Sequence, residues 1–98
     1  MANELCASGF GSDVDGQYNL MSNEHWQNSN GKYWIYKDSF FWMISTSEFF
    51  WDKNHIVAIK AYVPGSWANG TYNTPEKEAG YAGYIEGTPM GSVSLGTC

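Results

Sequence analysis

Apolar and polar residues alternate over short runs of this chain, and turn residues interrupt the runs at intervals of about 8–12 positions, the spacing of small all-β domains. In GQYNLMS (16–22), Tyr18 and Leu20 fall on one face, the period-2 mark of a strand packed on one side. KYWIYKD (32–38) sets Tyr33 and Ile35 against Trp34 and Tyr36, and SFFWMIST (39–46) sets Phe40, Trp42 and Ile44 against Phe41 and Met43. HIVAIKAYV (55–63) is the most β-branched run and stops at Pro64-Gly65, while YAGYIEG (81–87) and GSVSLG (91–96) read as two closing strands. EFFW (48–51) extends the sheet or opens a loop. GSDVDGQ (11–17), the polar NEHWQNSNG (23–31), Asp38-Ser39 and WDKNH (51–55) read as turns. Asn30-Gly31 and Asn69-Gly70 are pairs that accept the positive φ of hairpin turns. TPEKEAG (74–80) carries Thr74 as an N-cap, Pro75 at the first helical position and Gly80 at the end, which predicts one helical turn. The pattern predicts six to eight short strands in a single β domain over 1–98, a small antiparallel sandwich or barrel without an internal repeat.

Composition sharpens one point. Aromatic residues make up 17% of the chain, and nine of the 21 residues in GKYWIYKDSFFWMISTSEFFW (31–51) are Phe, Tyr or Trp. The strands at 32–38 and 39–46 therefore carry rings on both faces, whereas a two-layer fold buries one. The other face, with Trp34 and Tyr36, is expected to be accessible in the isolated chain and covered by a partner, because a contiguous exposed aromatic patch marks an interaction surface.

Charge removes several functions. The chain has a net charge of −5, five scattered lysines and no arginine, so it lacks the basic patch that nucleic acid requires. No apolar run approaches the length of a membrane span. The opening MANELCASGFGSD has neither a basic n-region nor an apolar core, so it does not read as a secretory signal, and the chain is expected to stay where it is made or to leave by assembly into a particle.

Candidate chemistry is sparse. Cys6 and Cys98 lie near opposite ends; a bridge would close a loop of about 90 residues, stabilising by roughly 4 kcal/mol on the chain-entropy argument, and two free thiols are the alternative. Asp13-Val14-Asp15-Gly16 matches part of a calcium loop but lacks the later ligands, so a plain turn is favoured and no metal or other cofactor is expected. His25 and His55 sit beside turns with no catalytic partner in sequence. Asn69-Gly70-Thr71 fits the glycosylation pattern but is accounted for as a turn. No two of the ten carboxylates share an apolar context that would make an acid–base pair. Trp26, Trp34, Trp51 and Trp67 each lie close to an Asn, Asp or Lys, the combination that stacks on sugar faces and accepts hydroxyl protons. With Tyr36 they are the candidate binding residues.

Three stretches taken together, ASGFGSDVDGQY (7–18), NGKYWIY (30–36) and FWMIS (41–45), with the GTPMGSVS tail (87–94), resemble a small Gly/aromatic-rich β module. That module occurs in bacterial, environmental and algal proteins, usually appended to larger secreted chains, and among virion structural proteins. The likeness covers the first half of the chain and the tail; WANGTYNTPEKEAG (67–80) departs from it. It implies a β fold and non-catalytic use, and no functional residue is carried over from it.

The sequence thus points to a non-enzymatic virion structural protein of a phage. It would be a capsid decoration (cement) protein or a small tail or fibre component, assembled in the host cytoplasm. Its expected partners are copies of itself and a viral shell or tail protein, with neither nucleic acid nor membrane. The alternative is a small lectin-like protein that binds glycan.

Overall fold

In the computed structural model, which describes residues 3–38, 40–46, 55–77 and 84–98, the chain is all-β. Eight strands follow in order: β1 (Glu4–Ser8), β2 (Gly16–Ser22), β3 (His25–Asn28), β4 (Trp34–Lys37), β5 (Phe41–Ser45), β6 (Ile56–Ala61), β7 (Gly70–Lys77) and β8 (Tyr84–Leu95). Each pairs antiparallel with the next, and β8 pairs back onto β1, so the sheet closes into a barrel. Closure matters because an open sheet leaves a row of unpaired backbone groups at each edge, which templates association. The up-and-down order gives the barrel two ends. The terminal end holds the start of β1, the end of β8, the tight β2–β3 and β4–β5 turns and the β6–β7 loop (62–69). The distal end holds the β1–β2 loop (9–15) and the β3–β4 loop (29–33).

The interior is built from alternate residues whose registers meet across neighbouring strands. Leu5 faces Tyr18, Leu20 faces Trp26, Trp26 faces Ile35, Ile35 faces Ile44 and Ile44 faces Ala58. Leu5, Tyr18, Trp26, Ile35, Trp42, Ile44, Ala58, Tyr72 and Val93 belong to one buried cluster, with the Trp26 and Trp42 rings 6.2 Å apart at its centre. Small Ala58 beside large indoles is the size alternation that lets side chains fill a narrow barrel.

The ring-rich stretch feeds a second cluster on the outside. Tyr36 faces Met43 and Met43 faces Ile59 across β4, β5 and β6, and all three are buried, with Trp34, Phe41 and Ile56 packed against them. Tyr36, expected to be accessible, is 3% exposed, and Trp34 is half-buried. The large residues of this row shield one another, and the His25 ring stacks on Tyr36 at 5.4 Å. Strand β5 is therefore buried on both faces from Trp42 to Ser45. That is where much of the aromatic surplus goes.

Several local expectations are corrected. Phe40 does not join Trp42 and Ile44 inside; it is 71% exposed. The Asp38 carboxylate accepts the N–H groups of Phe40 and Phe41, each at 2.7 Å, and this turn lifts Phe40 out of the ladder. The polar run 23–31 contains strand β3 and places Trp26 in the core, and 4–8 forms a strand that its weak alternation did not announce. Residues 74–77 are strand rather than helix: Pro75 faces Glu86 and Thr74 Oγ1 accepts the Thr88 N–H, and one isolated helical turn would forfeit that ladder. The register shifts around Asn73 accommodate the proline, which has no N–H to donate. Residues 84–87 of the first expected closing strand and 91–95 of the second belong to one strand, β8, 12 residues long, and 81–83 lie outside the described residues. EFFW (48–51), most of WDKNH, Trp51 and residues 78–80 lie outside the described residues.

A repeat that alternation does not show emerges from the fold. Residues 11–18 (GSDVDGQY) and 65–72 (GSWANGTY) share the pattern G-S-x-[V/A]-[D/N]-G-x-Y at identical spacing. In each copy the tyrosine is buried, and its hydroxyl donates to the carbonyl four residues earlier, Tyr18 to Val14 at 2.6 Å and Tyr72 to Ala68 at 2.7 Å. In each copy both glycines adopt positive φ: Gly11 and Gly16 in one, Gly65 and Gly70 in the other. Val14 and Ala68 are buried members of the main cluster. The same tyrosine clasp therefore occurs at both ends of the barrel, one copy at each, while the backbone bonds from Val14 and Asp15 to the Gly11 carbonyl belong to the first copy.

Candidate functional site

The terminal end is the part of the surface where apolar side chains stand out. Of the six large hydrophobic residues exposed among those described, Phe40, Val63 and Trp67 lie on the β4–β5 turn and the β6–β7 loop, and Met21 and Leu95 lie at strand ends on the same side; Ile85 lies elsewhere.

The loop that carries Val63 and Trp67 is pinned at successive points. Its Tyr62 N–H donates to the Phe40 carbonyl at 2.9 Å, clasping the β4–β5 turn. Ser66 Oγ accepts both the Trp42 indole N–H at 3.1 Å and the Val63 N–H at 3.3 Å. Lys60 Nζ donates to the Trp67 carbonyl at 2.8 Å, and burial holds this ammonium below its usual pKa, opposed by the nearby Glu86 carboxylate. Tyr72 secures Ala68. Beneath the loop, the Lys37 ammonium sits 4.3 Å from the centre of the Tyr62 ring, which meets Trp42 edge-on. The result is a fixed platform with an indole displayed on it.

Comparison of the two turn copies isolates the meaning of that indole. At the third position one copy carries Asp13 and the other Trp67, both exposed. The tyrosine clasp to the carbonyl four residues earlier forms with either residue at that position. A tryptophan that is 55% exposed on a pinned loop is available to present its ring to a partner.

The sequence-derived candidates thus separate. Trp67 is on the platform. Trp34 and Tyr36 belong to the outer cluster on the barrel wall, Trp26 is core, and Trp51 lies outside the described residues. Cys6 and Cys98 are bonded to each other, holding the C-terminal residues to β1. Phe40 and Val63 were not singled out from sequence. The Asp38 turn signal was the available clue for Phe40, and the duplicated G-S-x-[V/A]-[D/N]-G-x-Y pattern was the clue for Trp67.

The other polar candidates serve the scaffold. The Asp15 carboxylate accepts the Gly9 and Phe10 N–H groups at 3.2 and 2.8 Å. Asn30 donates from Nδ2 to the Asp13 carbonyl and accepts the Lys32 N–H, while the buried Asn28 donates to the Val14 carbonyl. This network closes the distal end. His55 Nδ1 and Thr46 Oγ1 are 2.8 Å apart beside β5. Among the described residues, no three His, Cys, Asp or Glu side chains gather as metal ligands. Searches of protein-family models, curated proteins and solved structures find no match to this chain.

Proposed function

We propose that this protein is a non-enzymatic structural component of a virus particle, a capsid decoration protein or a small tail or fibre piece, and that it docks through the terminal end of its barrel. The observation that carries the docking assignment is the exposed Trp67 at a turn position where the duplicate turn holds Asp13. Binding hot spots favour rigid aromatic anchors, and Trp67, on the same barrel end as the exposed Phe40 and Val63, sits on a loop pinned by its own hydrogen bonds. A standard interface buries about 800 Å² per partner. Against a total accessible surface of 5461 Å² that is roughly one-seventh, the scale of one barrel end. The particle assignment rests on the resemblance to virion β modules and on the acidic, arginine-free composition.

The test compares wild type with Trp67→Ala for self-association by sedimentation and for incorporation into particles. Trp67→Ala is expected to keep stability within about 0.5 kcal/mol, as exposed positions do, and to abolish association. Wild-type association by the variant would refute the docking assignment.

A further inference from the structure

The barrel wall carries a second surface of different chemistry. On the outer face of β2, β3 and β4, Asn19 lies opposite Gln27 and Gln27 opposite Trp34, so the three form one cross-strand row. They face outward because their neighbours Tyr18, Trp26 and Ile35 are in the core. All three are half-buried. Gln17 Nε2 donates to Asn19 Oδ1 at 2.7 Å, which fixes that amide with its oxygen toward Gln17. Gln27 Nε2 reaches the Gly31 carbonyl at 3.3 Å, a long bond that a better acceptor can replace. Trp34 is anchored by the outer cluster, so its ring is held without a ligand. Next to Asn19, the row continues to Glu4.

We propose that this row is a binding subsite for a neutral oligosaccharide, with Trp34 as the stacking platform and the Gln27 and Asn19 carboxamides as partners for sugar hydroxyls. A sugar hydroxyl donates and accepts at once, and a carboxamide supplies both a donor pair and an acceptor. The C–H face of a pyranose ring is apolar and packs on an indole, whose size and rigidity make it an effective platform. Two strand spacings separate Trp34 from Asn19, roughly 10 Å, enough for a disaccharide lying across the strands. The row holds no cation, ends at a carboxylate and belongs to a chain of net charge −5, so it disfavours acidic sugars. The surface is independent of the Trp67 platform, and either assignment can fail without the other.

The experiment titrates isotope-labelled protein with cellohexaose, maltohexaose and mannohexaose into the millimolar range. It follows the side-chain amide signals of Asn19 and Gln27 and the indole N–H of Trp34. One hexasaccharide is expected to move all three signals together, and Trp34→Ala and Gln27→Ala are each expected to weaken that binding about tenfold or more, a change of roughly 1.4 kcal/mol. Gln27 belongs to neither apolar cluster, so its variant remains informative where Trp34→Ala disturbs folding. Failure of all three sugars to move these signals, or shifts confined to Trp67 and its loop, would overturn the proposal.

Discussion

Replacing each turn tyrosine with phenylalanine should have unequal effects, although the two turns share their pattern. Both substitutions delete one buried hydroxyl and leave the ring in place. The difference lies in the acceptor left behind. The Val14 carbonyl receives Tyr18 Oη at 2.6 Å and also Asn28 Nδ2 at 3.1 Å, so in Tyr18→Phe it keeps a partner. The Ala68 carbonyl receives Tyr72 Oη at 2.7 Å, and the described structure gives it no second donor. A lost hydrogen bond costs about 1 kcal/mol net, whereas a buried acceptor left unpaired adds roughly 1–3 kcal/mol of desolvation. Tyr18→Phe should therefore cost about 1 kcal/mol and Tyr72→Phe about 2–3 kcal/mol. For a domain of this size each kcal/mol lowers the melting temperature by roughly 4–8 °C. Urea unfolding at 25 °C measures both, and an unchanged m-value would show that the midpoint shifts report stability. Equal losses, or a larger loss for Tyr18→Phe, would refute the assignment of Asn28 as a second donor and the argument from the unpaired carbonyl.

Three further outcomes are open to measurement. The Cys6–Cys98 bridge spans a sequence separation of 92, so Cys98→Ser should lower unfolding free energy by about 4–5 kcal/mol, and an unchanged midpoint under reducing conditions would exclude the bridge. Burial raises the pKa of Tyr18, Tyr72 and Tyr36 above the ordinary 10.0, so the folded state holds these protons when the unfolded chain releases them; stability should be fully present below pH 10 and fall above it. With Tyr18 and Tyr72 dominating, the limiting slope is about 2.7 kcal/mol per pH unit, and ultraviolet phenolate titration with unfolding at each pH checks it; a flat profile above pH 10 would contradict it. Glu24, which holds a positive φ (55°) in the β2–β3 turn, is a position where replacement by Gly should raise stability by roughly 0.5–1 kcal/mol, and a loss would show that its side chain compensates the strain.

Local alternation along the sequence was enough to establish the all-β class, the strands around 16–22, 34–37, 41–45 and 56–61, and the inward direction of Trp42 and Ile44. Side-chain direction in a strand follows from backbone geometry alone, so a period of two is readable without knowing the partner strand. The same local logic explains the turn glycines, and comparing the chain with itself would have revealed the repeated turn. Tertiary structure decided what depends on distant pairing. Only the β8–β1 ladder closes the barrel and brings Cys6 beside Cys98. Strands β1 and β3 are short and carry polar residues, and they become strands because neighbours on both sides complete their hydrogen bonds. Trp26 and Trp67 looked alike in sequence, each an indole near amides. Trp26 alternates into a strand between Leu20 and Ile35, where burial removes its ring from water, whereas Trp67 lies on a loop that holds its carbonyl through Lys60 and leaves its ring exposed. The outer row of Tyr36, Met43 and Ile59 was invisible for the same reason. Alternation shows that a strand has two faces, but whether both are covered depends on which residues the register sets side by side.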